Sequence, residues 1–107
     1  MRYNTEVDKV EGMKDEKMWV VFVTKQDILN GTIRRILAKD EKGETAEKNA
    51  IKNIIETILR AGEREGYKRQ MLLTREEAKG IGLNVTDSVE YVVVMKKEER
   101  GDGDGED

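Results

Sequence analysis

Residues 20–37 read Val20-Val-Phe-Val-Thr-Lys-Gln-Asp-Ile-Leu-Asn-Gly-Thr-Ile-Arg-Arg-Ile-Leu37, an unbroken apolar run that passes through a polar turn into a helix-period pattern. A run this apolar predicts a central strand buried on both faces, so the polar turn after it stands on a rigid base with Lys25 toward solvent. A ligand contact is expected at that turn. From Gln26 to about Ala38 the apolar positions Ile28, Leu29, Ile33, Ile36 and Leu37 recur at helical spacing, which predicts a helix laid on a core. Gly31 weakens its middle, and Thr32 to Ala38 could instead be extended.

Upstream, residues 17–24 complete the first strand, with Val, Phe and Trp dominant, and residues 1–16 are polar and irregular, a flexible lead or short edge strand. Downstream, the charged loop Ala38-Lys-Asp-Glu-Lys-Gly-Glu44 leads to Thr45, a candidate N-cap. A long helix is expected to start there. Ala46, Ala50, Ile51, Ile54, Ile55, Ile58 and Leu59 repeat at three- and four-residue steps, which lays one stripe on a sheet and leaves Lys48 and Lys52 outside. Gly62 or Gly66 can end it. Two further strands follow, at residues 68–74 and 88–96, with Arg69, Met71 and Leu73 on one face of the first and Val89, Tyr91, Val93 and Met95 on one face of the second. Both are expected to be at least half buried. The segment between them, residues 75–87, is too long for a tight hairpin and too short for a full crossover. The two strands should therefore be antiparallel, joined by a projecting arm or a short helix that carries Arg75 and Lys79.

Composition narrows the chemistry. The 107 residues hold room for one domain, residues 17–98, with a small core, so a homo-oligomer sharing apolar surface is a natural expectation. The chain is 40% charged and lacks Cys, His and Pro, a composition that resembles proteins of hyperthermophiles. Without imidazole or thiolate there is no base, nucleophile or zinc site of the usual kinds, and the acids are scattered. No catalytic residue, metal ligand, cofactor or small-molecule substrate is expected. Gly80-Ile-Gly82 and the glycines of the tail lack the strand-to-helix context of nucleotide-binding loops. No apolar run approaches the roughly 20 residues of a membrane span, and residues 1–15 have no signal-peptide core, so a cytoplasmic protein away from membranes is expected.

Net charge is −3, yet its distribution is uneven. Residues 99–107 carry −4 and residues 1–15 carry −1, which leaves residues 16–98 at +2. The expected folded part is weakly basic. The tail Gly101-Asp-Gly-Asp-Gly-Glu-Asp107 is expected to be disordered; its spacing is loosely that of a calcium loop, without the flanking helices or the distal Glu. Such a tail can compete internally with phosphates.

The order strand, helix, possible short strand, long helix, strand, arm, strand resembles the Alba family of archaeal chromatin and RNA-binding proteins. The family opens on the form V-V-Y-I-G-K-K-P-V-M-N-Y-V, and residues 20–32, V-V-F-V-T-K-Q-D-I-L-N-G-T, run beside it without a gap. The long helix with Ala46 and Ala50 and the ending Ser-Val-Glu-Tyr-Val-Val-Val-Met-Lys-Lys97 fall in the family's order, so the likeness spans about residues 18–98. Gln26 stands for the second of the family's paired lysines, Asp27 for its proline, and the short second strand is reduced or lost around residues 34–44. The resemblance implies an α+β, Alba-like two-layer sandwich. It also implies a homodimer that binds the backbone of DNA or RNA without reading sequence, nucleoid-associated if the ligand is DNA. Lys25 and Gln26 would present the turn to phosphate, Arg75 and Lys79 would be arm contacts, and Lys48 would sit near the N-terminus of the second helix, where phosphates are favoured. One lysine in place of two, beside Asp27, predicts weaker binding.

A second likeness covers residues 68–91, K-R-Q-M-L-L-T-R-E-E-A-K-G-I-G-L-N-V-T-D-S-V-E-Y, which resemble the AbrB/MazE pattern K-G-Q-V-T-I-P-K-E-V-R-E-L-L-G-L-K-P-G-D-E-V-E-F. It implies a swapped-hairpin DNA-binding regulator, and it makes residues 75–81 a helix where the first likeness makes residues 75–87 an extended arm. A third expectation, from another class, is an accessory or inhibitor protein that binds a protein partner and no nucleic acid; the acidic balance, Gln26 and Asp27 suit it.

Overall fold

The computed structural model describes residues 17–97 and the backbone of residues 13–14, so the expected lead and acidic tail lie almost wholly outside the described residues. The described residues form seven elements in order: β1 (Met13–Lys14), β2 (Met18–Thr24), α1 (Lys25–Lys39), α2 (Gly43–Arg64), β3 (Tyr67–Thr74), α3 (Arg75–Gly80) and β4 (Val89–Lys97). They form a small α+β domain around one antiparallel sheet of order β1-β2-β4-β3.

β2 is central, as its composition requires. Trp19, Val20, Val21 and Val23 are all buried, because successive side chains enter cores on opposite faces. β4 lies between β2 and β3 and pairs antiparallel with both, so β2 and β3 run in the same direction and the α1–α2 hairpin carries the chain across β4. Trp19, Val21, Val23, Val93 and Met95 meet Ile28, Ile54 and Ile58 on the helix-covered face. On the other face Val20, Val92 and Val94 meet Ala78, Val85 and Val89. The segment after β3 is thus no projecting arm. It forms α3 and a turn that folds back to bury Ala78 and Val85 on the sheet. The short helix is the one of the two expected connections that forms.

Several further expectations are corrected. No turn separates β2 from α1: Thr24 ends the strand and caps the helix. Of the two expected outcomes around residues 34–44, a reduced strand or none, the second holds: the six residues Arg34–Lys39 continue α1 and only Asp40–Lys42 separate it from α2. Thr45 is not the N-cap of α2; Lys42 is, without a side-chain cap bond, so α2 begins three residues earlier than its cap chemistry suggests. Of the two glycines expected to end α2, it is Gly66 that does so, with φ +97° just past the last helical residue Arg64, while Gly62 lies inside the helix. Val89 does not share a face with Val93 and Met95, because the register shifts at Val23/Thr24 and sends it to the opposite core. β3 is an edge strand, largely exposed from Lys68 to Leu72 rather than half buried. Finally, α1 turns only Ile28 into the core, while Leu29, Ile33, Ile36 and Leu37 face outward. Among the described residues no helix is long and apolar enough to cross a membrane.

Candidate nucleic-acid interface

The expected site residues lie around the end of the sheet where β2 and β3 finish and β4 begins. Thr24 and Asp27 form a capping box: Thr24 N–H donates to Asp27 Oδ2 at 3.0 Å and Asp27 N–H donates to Thr24 Oγ1 at 3.1 Å. Asp27 is therefore a local structural requirement of a helix that starts directly off a strand. Lys25 is the first residue of α1, and its N–H donates to Ser88 O at 2.8 Å, which pins the helix start to the turn before β4. Its side chain is exposed, with Nζ 4.0 Å from Glu90 Oε2. Gln26 is spent along the helix, donating from Nε2 to Asn30 Oδ1 at 3.0 Å.

Arg75 has a structural task. It opens α3 behind a second capping box, Thr74 with Glu77, and its Nη1 donates to Asp87 O at 3.0 Å and to Val89 O at 2.9 Å. The guanidinium thereby clamps both sides of the residue whose carbonyl holds Lys25. Lys79 is exposed in the last turn of α3, and Lys48 is exposed on α2. The fold brings Lys25 and Arg75 to one tripeptide, 87–89, while Lys48 sits on a different element.

Electrostatics at this end are nearly balanced. Asp27 accompanies Lys25 on α1, Glu76 and Glu77 accompany Arg75 and Lys79 on α3, and Glu90 approaches Lys25 from β4. Beside Lys25 a cleft of about 600 Å³ opens along the α1–α2 seam, walled by Glu44, Glu47 and Glu90 over a floor that includes Ile28, Ile51 and Tyr91. Three carboxylates against one ammonium make this cleft unsuited to phosphate.

The opposite end of the sheet is different. The antiparallel register sets Arg69 directly across from Lys96, and Tyr67 across from Lys97, with Met18 flanking Lys96 from β2. Lys68, Arg69 and Lys96 are exposed, and among the described residues no carboxylate pairs with any of the three. Lys97 lies with Nζ 5.1 Å from the centroid of the Tyr67 ring, which itself stacks on Trp19 at 5.9 Å between centroids. A buried aromatic pair thus braces the base of a cationic row. Like charges directly opposed across a strand pair destabilise the sheet, a cost that no carboxylate among the described residues offsets by an ion pair. The sequence signal for it was two basic doublets, Lys68-Arg69 at the start of one strand and Lys96-Lys97 at the end of the next. Antiparallel pairing of those two strands is enough to superimpose them.

No protein-family model, no curated protein and no solved structure compared with this chain matches it.

Proposed function

We propose that this protein binds nucleic acid through the sugar-phosphate backbone without reading sequence, and that the contact is centred on the Arg69–Lys96 row with Lys68 and Lys97 beside it. The observation that carries this reading is the cross-strand pair Arg69 and Lys96, exposed and without a carboxylate partner among the described residues. A polyanion would supply the counter-charge that no described carboxylate gives, and displacement of condensed counterions provides affinity without base contacts. Trp19 and Tyr67 are buried, which argues for backbone contact over a stacking platform. Lys25 and Lys79 become peripheral contacts in this reading, and Arg75 a structural clamp. The strand–helix–strand unit at residues 67–97 supports a DNA-binding regulator of the second resembled type as a variant of the same reading.

A gel-shift titration of duplex DNA, duplex RNA and single strands at about 50 and 200 mM salt tests the proposal. Binding should weaken steeply with salt, and replacing Arg69 and Lys96 together by Gln should lower low-salt affinity about tenfold or more and reduce the log–log salt slope by about two. Lys25→Glu should cost less than that double change. Undetectable binding at the lower salt, or a slope the double variant leaves unchanged, overturns the proposal. The acid-walled cleft favours a second reading, an accessory protein that binds a basic partner protein without nucleic acid. Failure to bind any nucleic acid at low salt supports it.

A further inference from the structure

α1 is mounted with its larger apolar side chains outward. Its inner face offers Ile28, Gly31 and Arg35 to the rest of the fold: a Cβ placed on Gly31 would lie 3.3 Å from Ala50 Cβ, and Arg35 is engaged by Glu41. Its outer face carries Leu29, Ile33, Ile36 and Leu37, exposed at 51%, 46%, 40% and 81%. A helix of fifteen residues with one buried apolar side chain and four exposed ones presents a surface made to be covered.

We infer that a second copy of this chain covers it, with the two α1 helices antiparallel and crossing at Ile33. An interface between identical chains must be complementary to itself under a two-fold rotation, and this stripe is. Leu29 and Leu37 stand four residues on either side of Ile33, so crossing there sets Ile33 on Ile33 and brings Leu29 of each copy onto Leu37 of the other, with Ile36 alongside. The charges are complementary as well. Exposed Lys25 opens the helix and exposed Asp40 caps its end, so antiparallel copies place each lysine beside the other copy's aspartate and oppose the two helix dipoles. The four side chains offer on the order of 400 Å² per copy, so pairing buries roughly 800 Å² of apolar surface, and a polar rim of Gln26, Asn30 and Arg34 brings the total toward the roughly 1,000 Å² of a small, weak specific interface. The acid-walled cleft opens beside this stripe, with Leu29 on its edge, and the paired helix closes over that edge.

The inference stands apart from the nucleic-acid reading, because it is tested by mass alone in nucleic-acid-free protein. Sedimentation of the full chain in moderate salt should give twice the 12.3 kDa chain mass at micromolar concentration. Ile33→Glu and Leu37→Glu, both at exposed positions, should return it to the single-chain mass with an unchanged far-ultraviolet spectrum. Since the chain has no cysteine, Ile33→Cys provides an independent check: mild oxidation should cross-link it much faster than Leu72→Cys on the exposed edge strand. A wild-type chain that stays monomeric at high concentration, glutamate variants that remain dimeric, or equal cross-linking of the two cysteine variants overturns the inference.

Discussion

Arg35 and Glu41 close the turn between α1 and α2 with two parallel bonds, Nε to Oε1 at 2.8 Å and Nη2 to Oε2 at 3.0 Å, and Asn49 Nδ2 adds a third contact to Oε1 at 3.3 Å. The turn needs such a tie because Asp40 adopts φ +57°, a left-handed conformation that a residue with a Cβ enters at a cost. The hydrogen bonds from Arg35 hold the Glu41 carboxyl below its ordinary value of 4.5, aided by the Asn49 amide and by the charges of Arg35 and Lys39, against partial desolvation. Because the folded-state value is lowered, the associated stability is complete above 4.5 and is lost as pH falls through the lowered value. Urea midpoints measured from neutral pH to pH 3 should therefore show wild type and Glu41→Gln converging on the acid side. A constant difference across that range would show that the pair does not couple folding to protonation. Arg75 and Asp27 belong to the same scale: both were legible in the sequence as charged residues beside Lys25 or on an arm, and both turn out to satisfy backbone groups.

Among the elements, α2 shows how much of the packing follows from spacing. Its buried positions Ala46, Ala50, Ile54, Ile58 and Gly62 form one four-residue row, which the apolar periodicity of the sequence already marked as far as Ile58. Gly62 extends the row for a steric reason: a Cβ there would collide with the thioether of Met95 and lie 3.1 Å from Trp19 Cζ3. The end of α2 approaches the sheet at backbone distance, and only glycine leaves room. Gly62→Ala should thus destabilise the fold by about 1–3 kcal/mol despite the gain in helix propensity, through overpacking. A chemical-denaturation curve that matches or exceeds wild type would show that Met95 can move aside at no cost. The same scale explains why the sequence left α1 ambiguous. Its apolar residues have helical periodicity, which predicts the helix correctly, but periodicity does not say which side is occupied by another element.

At the scale of the whole molecule, charge is sorted to the two ends of the sheet. Acids accumulate beside the cations that the sequence singled out, and cations without a carboxylate partner among the described residues, Lys68, Arg69 and Lys96, gather at the opposite end, where β3 begins and β4 finishes. The −3 net charge hides this, since the last seven residues alone hold four acids and no base. If that tail competes with phosphates for the cationic row, deleting residues 101–107 should raise low-salt affinity for duplex nucleic acid on the order of threefold or more, with a smaller gain at high salt. Unchanged affinity would remove the tail from the binding account. Strands and helices were readable along the chain because their causes are local, an apolar run and three- and four-residue spacing, whereas the capping boxes at Thr24 and Thr74 came to light only in the structure. Membership of β2 in the centre of the sheet was readable for the same reason, since its residues are apolar on both faces. The face of α1 that turns inward, the folding of residues 75–88 onto the sheet, the loss of a strand between the helices and the meeting of Arg69 with Lys96 were settled by contacts between residues far apart in sequence. Those depend on which surfaces exclude water together and on strand register, and neither is written in any one segment of the chain.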